Sequence, residues 1–598
     1  MRRALSSVIL LVAISCGSLF FRLGSLPLSG ADEPRYARIA QEMHDQGNWV
    51  TPSLQGKPWL EKPPLYYWLT IPFYSLAIDE TTSRLGPALC ALITGLAVFW
   101  IGPSRTAGFI AAAILLTSLG FIGFGRSAST DMPFTCFFTL SMTMLASWDH
   151  RRPAGPGSAG VSPAAGWMIL LAWIFLGIAV VAKGPVALAL AAGILLFVWF
   201  LDDRGVVLRS WHVVPGVILT AVVSIPWFWL AFRENGFSFI ATFFINHNLA
   251  RYITDIHHHS QPFYYYLPVL VALLFPWSGW LVSLADKSIW KDFRNWREWN
   301  PLAVFLACWF LFPIIFFSLS DSKLAGYILP SLPPLALILG ILISRAIEQK
   351  SRLRAVAMTQ LILSAAMAVA APITFQKEYG GNWKVGLILS AAIALPAVFS
   401  FIFGLRGRWA HAFGATVLQG VLIVVVLAQF AFPVLGAYHS TKEMAYRTLQ
   451  LRHSGEPIVT YRFFHHSLHY YTDYQVAGKL DDAGSLLEFA RTNPEFLVVT
   501  NVKGMKEISA IKQLSVALLA EQGNFRLLRI QTQIAQKPFV DSAQSVAADY
   551  LNVYPIVNLK SGLSKAPIFI SPNNPSWCST PSSTLRPPPV SKSSFPLS

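Results

Sequence analysis

Apolar runs of roughly 20 residues recur along this chain, each long enough to cross ~30 Å of hydrocarbon. They fall near 4–21, 83–101, 106–122, 132–148, 167–182, 186–201, 212–231, 263–284, 300–319, 326–346, 355–372, 385–404 and 411–434. In lipid every backbone N–H and C=O must be paired internally, so about thirteen such runs commit the chain to a bundle of membrane-spanning helices. Composition agrees: 54% of the 598 residues are hydrophobic and 13% are charged, against about 25% charged in soluble domains. The formal charge of +16 would suggest nucleic acid in a soluble protein. Here the excess basic residues lie in loops between apolar runs, where the positive-inside rule accounts for them, and nucleic acid is not an expected partner. The cysteines have no metal or redox spacing, and four of the five lie in apolar runs as small core residues.

Arg2 and Arg3 precede the first run. A cleaved signal peptide is the alternative, but no small-residue cleavage pattern follows, so the run reads as a retained helix with a cytoplasmic N-terminus. The loops at 150–153, 202–209, 286–297, 345–354 and 405–408 then all fall on the cytoplasmic side, and all are basic. One missed span would reverse every later loop and break this agreement. After Tyr438 the pattern changes to short strand-like runs (P-I-V-T-Y-R-F, E-F-L-V-V-T, F-R-L-L-R-I-Q), with helices expected over 483–491 and 505–514. The expected organisation is a helical polytopic membrane domain (1–435), a small α/β domain on the outer side (436–540), and a Ser/Pro-rich tail (541–598) read as disordered.

The same topology gathers the unusual polar residues on the outer side. Asp32, Glu33, Arg35, Glu61 and Lys62 lie in the first loop, with Arg126, Asp131, Lys183, Arg251, His257–His259, Asp321 and Lys323 in later outer loops. Asp32 and Glu33 are candidates for a general base, set against the plainer reading of a helix cap and a first-turn acid for a helix over 33–45. Each basic residue could hold a phosphate or merely snorkel to headgroups. Lys183 favours function, because a charge near bilayer depth in V-V-A-K-G-P-V-A costs ~2.5–3.5 kcal/mol on insertion scales. The three adjacent histidines read as a polar loop, since neighbours in sequence rarely converge on one ion. Interleaved Tyr and Trp suit a membrane surface.

Several motifs carry a resemblance. D-E-P-R-Y-A, E-K-P-P-L-Y-Y-W, R-S-A-S-T-D-M-P, A-K-G-P-V-A-L, H-S-Q-P-F-Y-Y-Y-L-P and L-S-D-S-K-L-A-G-Y-I-L-P-S-L-P-P run in order through residues 1–435. Together they resemble the bacterial aminoarabinose transferases of lipid A and the related protein O-mannosyltransferases, which are GT-C glycosyltransferases. The resemblance implies sugar transfer from an undecaprenyl phosphate donor to lipid A, another envelope glycan or a protein, at the periplasmic face of the bacterial inner membrane. It implies Asp32 as catalytic base and Asp131 as a second catalytic-site carboxylate, which helps place substrate or the catalytic machinery. Arg35, Lys62, Lys183 and Arg251 match positions around the donor phosphate. Glu33, Lys323 and Tyr327 match substrate contacts. Glu61 and His259 match positions that hold a divalent ion in some members, although no cofactor is required by the resemblance. The sequence departs from the family pattern at Ala325-Gly326, where relatives often carry proline before the tyrosine. The competing class is a polyprenyl-lipid transporter, which would place charges at mid-membrane on broken helices.

Overall fold

The computed structural model describes residues 2–150, 163–201, 212–250, 261–285, 300–349 and 353–532. Arg251, His257–His259, most of the basic cytoplasmic loops and the 541–598 tail lie outside the described residues. Seven described helices are long and apolar enough to cross a membrane, or eight if one bent pair counts as a span. Shorter apolar helices cover Ala4–Phe20, Trp167–Lys183, Val186–Leu201 and Phe237–His247.

The run expected as one helix over 106–122 is broken. Helix α5 (Arg105–Thr117) and helix α6 (Leu119–Gly125) meet at 66°. The run at 263–284 breaks in the same region, into a helix over Tyr266–Leu274 and a 3-10 helix over Trp277–Ala285. The two breaks satisfy each other: Leu119 N donates to the Phe275 carbonyl at 2.7 Å. Gln360 donates to the Pro276 carbonyl and accepts from Gly279 N at 3.1 Å. Leu119 N, the Phe275 and Pro276 carbonyls and Gly279 N are thus paired inside the protein, as an apolar medium requires. Gly120 allows the approach, since a Cβ there would lie 2.4 Å from the Leu273 side chain.

The first loop carries helix α2 (Asp32–Gln46), helix α3 (Leu65–Tyr74) and a two-stranded hairpin, β1 (Ser53–Leu54) with β2 (Lys57–Pro58). Helix α2 buries Tyr36, Ala37, Ile39, Ala40 and Met43 along one stripe, the spacing of an amphipathic helix. Gly47 at φ 64° ends it, in the left-handed conformation that glycine adopts without strain. Pro63-Pro64 halts regular structure ahead of α3, and Pro64 stands at the N-cap of that helix. Next come helix α4 (Glu80–Ile101), and then, beyond α6, helix α7 (Asp131–His150) and helix α8 (Pro163–Lys183).

Five strands form one sheet in the order β4-β3-β5-β7-β6, with β3 (Ile458–Tyr461), β4 (Val476–Leu480), β5 (Glu495–Asn501), β6 (Leu514–Gln522) and β7 (Phe525–Thr532). Strand β3 is parallel to β4 and β5, and β7 is antiparallel to β5 and β6. The sheet shares a core with the first loop: Ile458, Leu497, Val499 and Leu527 pack in one cluster with Tyr36, Ile39, Met43, Tyr66 and Tyr67. Fully burying an aliphatic or aromatic side chain stabilises by about 1.5–3 kcal/mol, so this cluster fixes α2 firmly against the sheet. Two hydrogen bonds add to the seam, Leu28 N to the Tyr471 hydroxyl at 2.8 Å and the Ser440 hydroxyl to Leu28 O at 2.9 Å.

Candidate active site

Asp32 opens α2, but it is not the cap that its position suggested. Ala31 occupies the N-cap and makes no side-chain capping bond. The Asp32 carboxylate instead accepts from Arg35 Nη2 at 2.5 Å, while its side chain stays 59% exposed. A carboxylate held by one guanidinium and open to solvent is available to a substrate. Arg35 is anchored further by donation from Nε to the Ala31 carbonyl at 2.8 Å and by its position 5.3 Å over the Trp59 ring. Burial opposes the Arg35 charge, but Tyr36, Asp32 and Glu61 outweigh it and raise its pKa.

Glu33, expected as a substrate contact, has a different part. Its two oxygens accept from Arg84 at 2.9 and 2.8 Å, and also from Ala128 N at 2.9 Å and Ser29 N at 3.2 Å. Both groups are buried, so the carboxylate is engaged in holding α2 to α4 and has no lone pair directed at a ligand. Arg84 also donates to the carbonyls of Leu23 and Leu26 at 3.2 and 2.6 Å. Arg126, named as an unusual outer residue, serves similarly: its guanidinium donates to the carbonyls of Leu19, Phe21 and Arg22 at 2.9 to 3.1 Å. Two buried arginines thus satisfy the carbonyl groups where the first helix runs into the first loop.

Asp131 and Lys183 meet in an ion pair across 52 residues. Asp131 is the first residue of α7 and Lys183 the last of α8. The helix dipole favours an acid at the one end and a base at the other. Gly184 at φ 85° and Pro185 stop α8 directly after the lysine. The Lys183 ammonium lies 5.4 Å from the Phe134 ring and 5.6 Å from the Tyr327 ring. Tyr327 sits in a 3-10 turn over Ala325–Ser331 and packs on Phe317 at 4.8 Å. Gly326 admits this arrangement, because a Cβ there would stand 3.2 Å from Asp131 Cγ.

Tyr36 links the two groups. It is buried, and burial pushes its hydroxyl well above the ordinary phenol range, with Asp32, Tyr67 and Asp131 adding to the shift and Arg35 opposing it. Asp32 and Asp131 thus both act on Tyr36, and Asp131 in turn holds Lys183 beside the Tyr327 ring. Glu61 acts on Arg35 and Tyr67 from the same side and lies 3.6 Å from His247 Nε2. Lys62 is half-buried beside it. Lys323 is buried and donates to the Ser320 carbonyl at 2.6 Å, which fixes the turn before Tyr327. Two further donors near Arg35 have no hydrogen-bond partner among the described residues, Trp59 Nε1 and the Tyr67 hydroxyl. Sequence reasoning took Trp59 and Tyr67 only as aromatics of a membrane surface and missed Arg84 and His247, which lie outside the motifs it used.

A profile of the dolichyl-phosphate-mannose-protein mannosyltransferase family matches residues 5–240. Undecaprenyl phosphate-alpha-4-amino-4-deoxy-L-arabinose arabinosyl transferase of Pectobacterium atrosepticum is 31% identical over 341 residues, 54% of this chain and 58% of that protein. A transferase of the same name from Pseudomonas fluorescens is 34% identical over 336 residues, 54% of each chain. The matched part of the chain thus spans a little over half the length of these relatives. The crystal structure of ArnT from Cupriavidus metallidurans bound to undecaprenyl phosphate superposes with a TM-score of 0.67 at 22% identity, covering 87% of this chain and 97% of that one.

The fold is that of a polytopic membrane protein with a small C-terminal sheet, and it is shared with ArnT. In sequence the chain is similar to the aminoarabinose arabinosyl transferases over about half its length, and to the mannosyltransferase profile over residues 5–240.

Proposed function

We propose that the chain is a membrane glycosyltransferase. It moves a sugar from a polyprenyl phosphate donor to lipid A or another envelope acceptor, at the periplasmic face of the inner membrane. The observation that carries this reading is an exposed carboxylate, Asp32, paired with Arg35, together with a lysine, Lys183, held by Asp131 at the end of an apolar helix, both acids acting on Tyr36. The first suits a base for the acceptor and the second a contact for the donor phosphate.

The reaction needs an acceptor oxygen to attack the anomeric carbon while the polyprenyl phosphate leaves, with inversion in a single displacement. Asp32 takes the acceptor proton, or orients the oxygen where the acceptor is already an ionised phosphate. An ammonium carries three donors. Asp131 can therefore hold Lys183 in place while another N–H of the same group meets the departing phosphate. Lys62 and Arg251 complete the cationic set in this reading, while Arg35 holds Asp32. Loss of one such contact costs about 2.7–4 kcal/mol, a hundredfold or more in rate. A divalent ion, where one is used, would find an oxygen and a nitrogen donor in Glu61 and His247.

The mannosyltransferase profile favours a second reading, in which the acceptor is a protein. The transporter reading loses support at the helix breaks, where Ser118, Phe275, Pro276 and Gln360 gather and the charges do not.

The test offers purified protein lipid A with undecaprenyl phosphate-aminoarabinose or, separately, polyprenyl phosphate hexoses, and follows acceptor mass. A pentose mass gain supports the full reading. A gain only with a hexose keeps the mechanism and changes the sugar. Absence of transfer from every donor to lipid A, envelope glycan and protein acceptors overturns it.

A further inference from the structure

The motif R-F-F-H-H-S-L-H-Y-Y at 462–471 finds no place in the reaction described above. It belongs to the sheet region, yet its helix, His466–Tyr471, packs against α2. A clamp just beyond that helix fixes the contact: Arg38 of α2 pairs with Asp473 at 2.5 Å and lies 5.1 Å over the Tyr474 ring. Asp473 and Tyr474 are held at φ 50° and 57°, a conformation rare for a bulky side chain and kept only where the surroundings impose it.

The three histidines divide. His465 turns inward: its Nδ1 is 2.6 Å from the Ser467 hydroxyl, and its ring packs near Phe525 at 5.9 Å. His469 packs between Phe464 at 4.9 Å and Tyr474 at 5.8 Å. His466 is the first residue of the helix that packs against α2, and of the three it alone feels the charges of both Arg35 and Asp32, the pair that opens α2. Phe464 stands edge-on to His466 at 4.7 Å and leaves 48% of its surface exposed. Trp59 lies 5.3 Å from the Arg35 guanidinium, half-buried, with its indole N–H buried and without a partner among the described residues. An exposed ring and an imidazole on the element packed against α2, with a guanidinium and a carboxylate at the start of α2, combine stacking surface with directional hydrogen bonds, a composition suited to a hydroxyl-rich ring.

We propose that Phe464 and His466 of the sheet region, with Arg35 and Trp59 of the first loop, form the subsite for a sugar ring of the acceptor. The sheet region is thereby part of the site. Phe464 offers its face to the C–H side of the ring. His466 bonds its hydroxyls and turns the reacting oxygen toward Asp32, while the Trp59 ring backs Arg35. The proposal rests on the glycosyltransferase reading and assigns these residues to the acceptor, because Arg35 pairs with Asp32, the acceptor base of that reading, whereas Lys183 pairs with Asp131 and lies over Tyr327.

The test uses the full chain in nanodiscs, as wild type, Phe464→Ala and His466→Asn, each first checked for an unchanged melting temperature. Lipid A affinity, undecaprenyl phosphate affinity and, where transfer is detected, KM for each substrate are measured. The proposal expects each variant to weaken lipid A binding and raise acceptor KM about tenfold or more, a difference of ~1.4 kcal/mol per decade. Undecaprenyl phosphate affinity and donor KM stay at the wild-type value. Wild-type lipid A affinity in both folded variants overturns the subsite, and so does an equal loss for both substrates. If wild type transfers no sugar, the glycosyltransferase reading fails by itself. The binding comparison still decides the subsite, and failure of wild type to bind lipid A counts against it.

Discussion

The Arg84 guanidinium spans both oxygens of Glu33, at 2.9 and 2.8 Å, in a pair buried between the first loop and α4. Removing one partner strands the other charge away from water, at a typical cost of about 3–5 kcal/mol. Arg84→Met is therefore expected to lower the melting temperature in detergent sharply, and Glu33→Gln less so, since the amide retains one acceptor. A protein that keeps wild-type stability without Arg84 would show that the pair does not hold the first loop.

Lys183 and Asp131 should behave as one unit. Lys183→Met is expected to reduce transfer by about a hundredfold or more. Asp131→Asn reduces it less, and the double variant falls no further than Lys183→Met, because contacting residues are not additive. A double variant whose loss equals the product of the two single losses would place the residues in separate roles. Steady-state transfer rates for the three variants decide the matter.

Gly326 precedes Tyr327 in the turn beside Lys183, and the structure gives the glycine a reason. A Cβ there would meet Phe124 at 2.9 Å and Asp131 Cγ at 3.2 Å. Gly326→Ala is predicted to push Asp131 off Lys183 and raise donor KM several-fold, with little change in acceptor KM. Unchanged donor kinetics would mean that the Phe124 ring yields instead.

The sheet region should lose stability in acid. Burial depresses both His466 and His469 to about 4, with Arg35 adding to the effect on His466. Unfolded histidine titrates near 6.5, so the unfolded chain binds more protons between these values. The stability is fully present above about pH 6.5 and is lost as pH falls toward 4. Thermal melts across that range are expected to fall with pH, and His469→Asn to flatten the slope. A melting temperature constant from pH 7 to 4.5 would contradict this.

The helices were legible because a 20-residue apolar run admits one structure in lipid. The breaks were less so. Nothing within 106–122 distinguishes Ser118 from its neighbours, and the bend depends on a carbonyl at Phe275, 156 positions away by sequence numbering. Helix α2 was expected over 33–45 and occupies Asp32–Gln46. The expected strands at β3, β5 and β7 formed, whereas the helix expected over 505–514 is Val502–Ser509, and strand β6 begins at Leu514. Leu514–Gln522 is rich in Leu and Ala and carries no strong strand propensity. Its clue was the Gly523-Asn524 pair that turns it into β7. Within the site, the charged motifs pointed to Asp32, Arg35, Asp131 and Lys183. They did not separate Asp32 from Glu33, because exposure, not residue type, sets the two carboxylates apart.

The central claim is that Asp32 serves the reacting acceptor. It is tested by transfer from undecaprenyl phosphate-aminoarabinose to lipid A, measured with wild type and Asp32→Asn at matched folding and membrane insertion. The account predicts that the variant binds undecaprenyl phosphate normally and loses transfer by about a hundredfold or more. A folded Asp32→Asn protein with full transfer activity would contradict it.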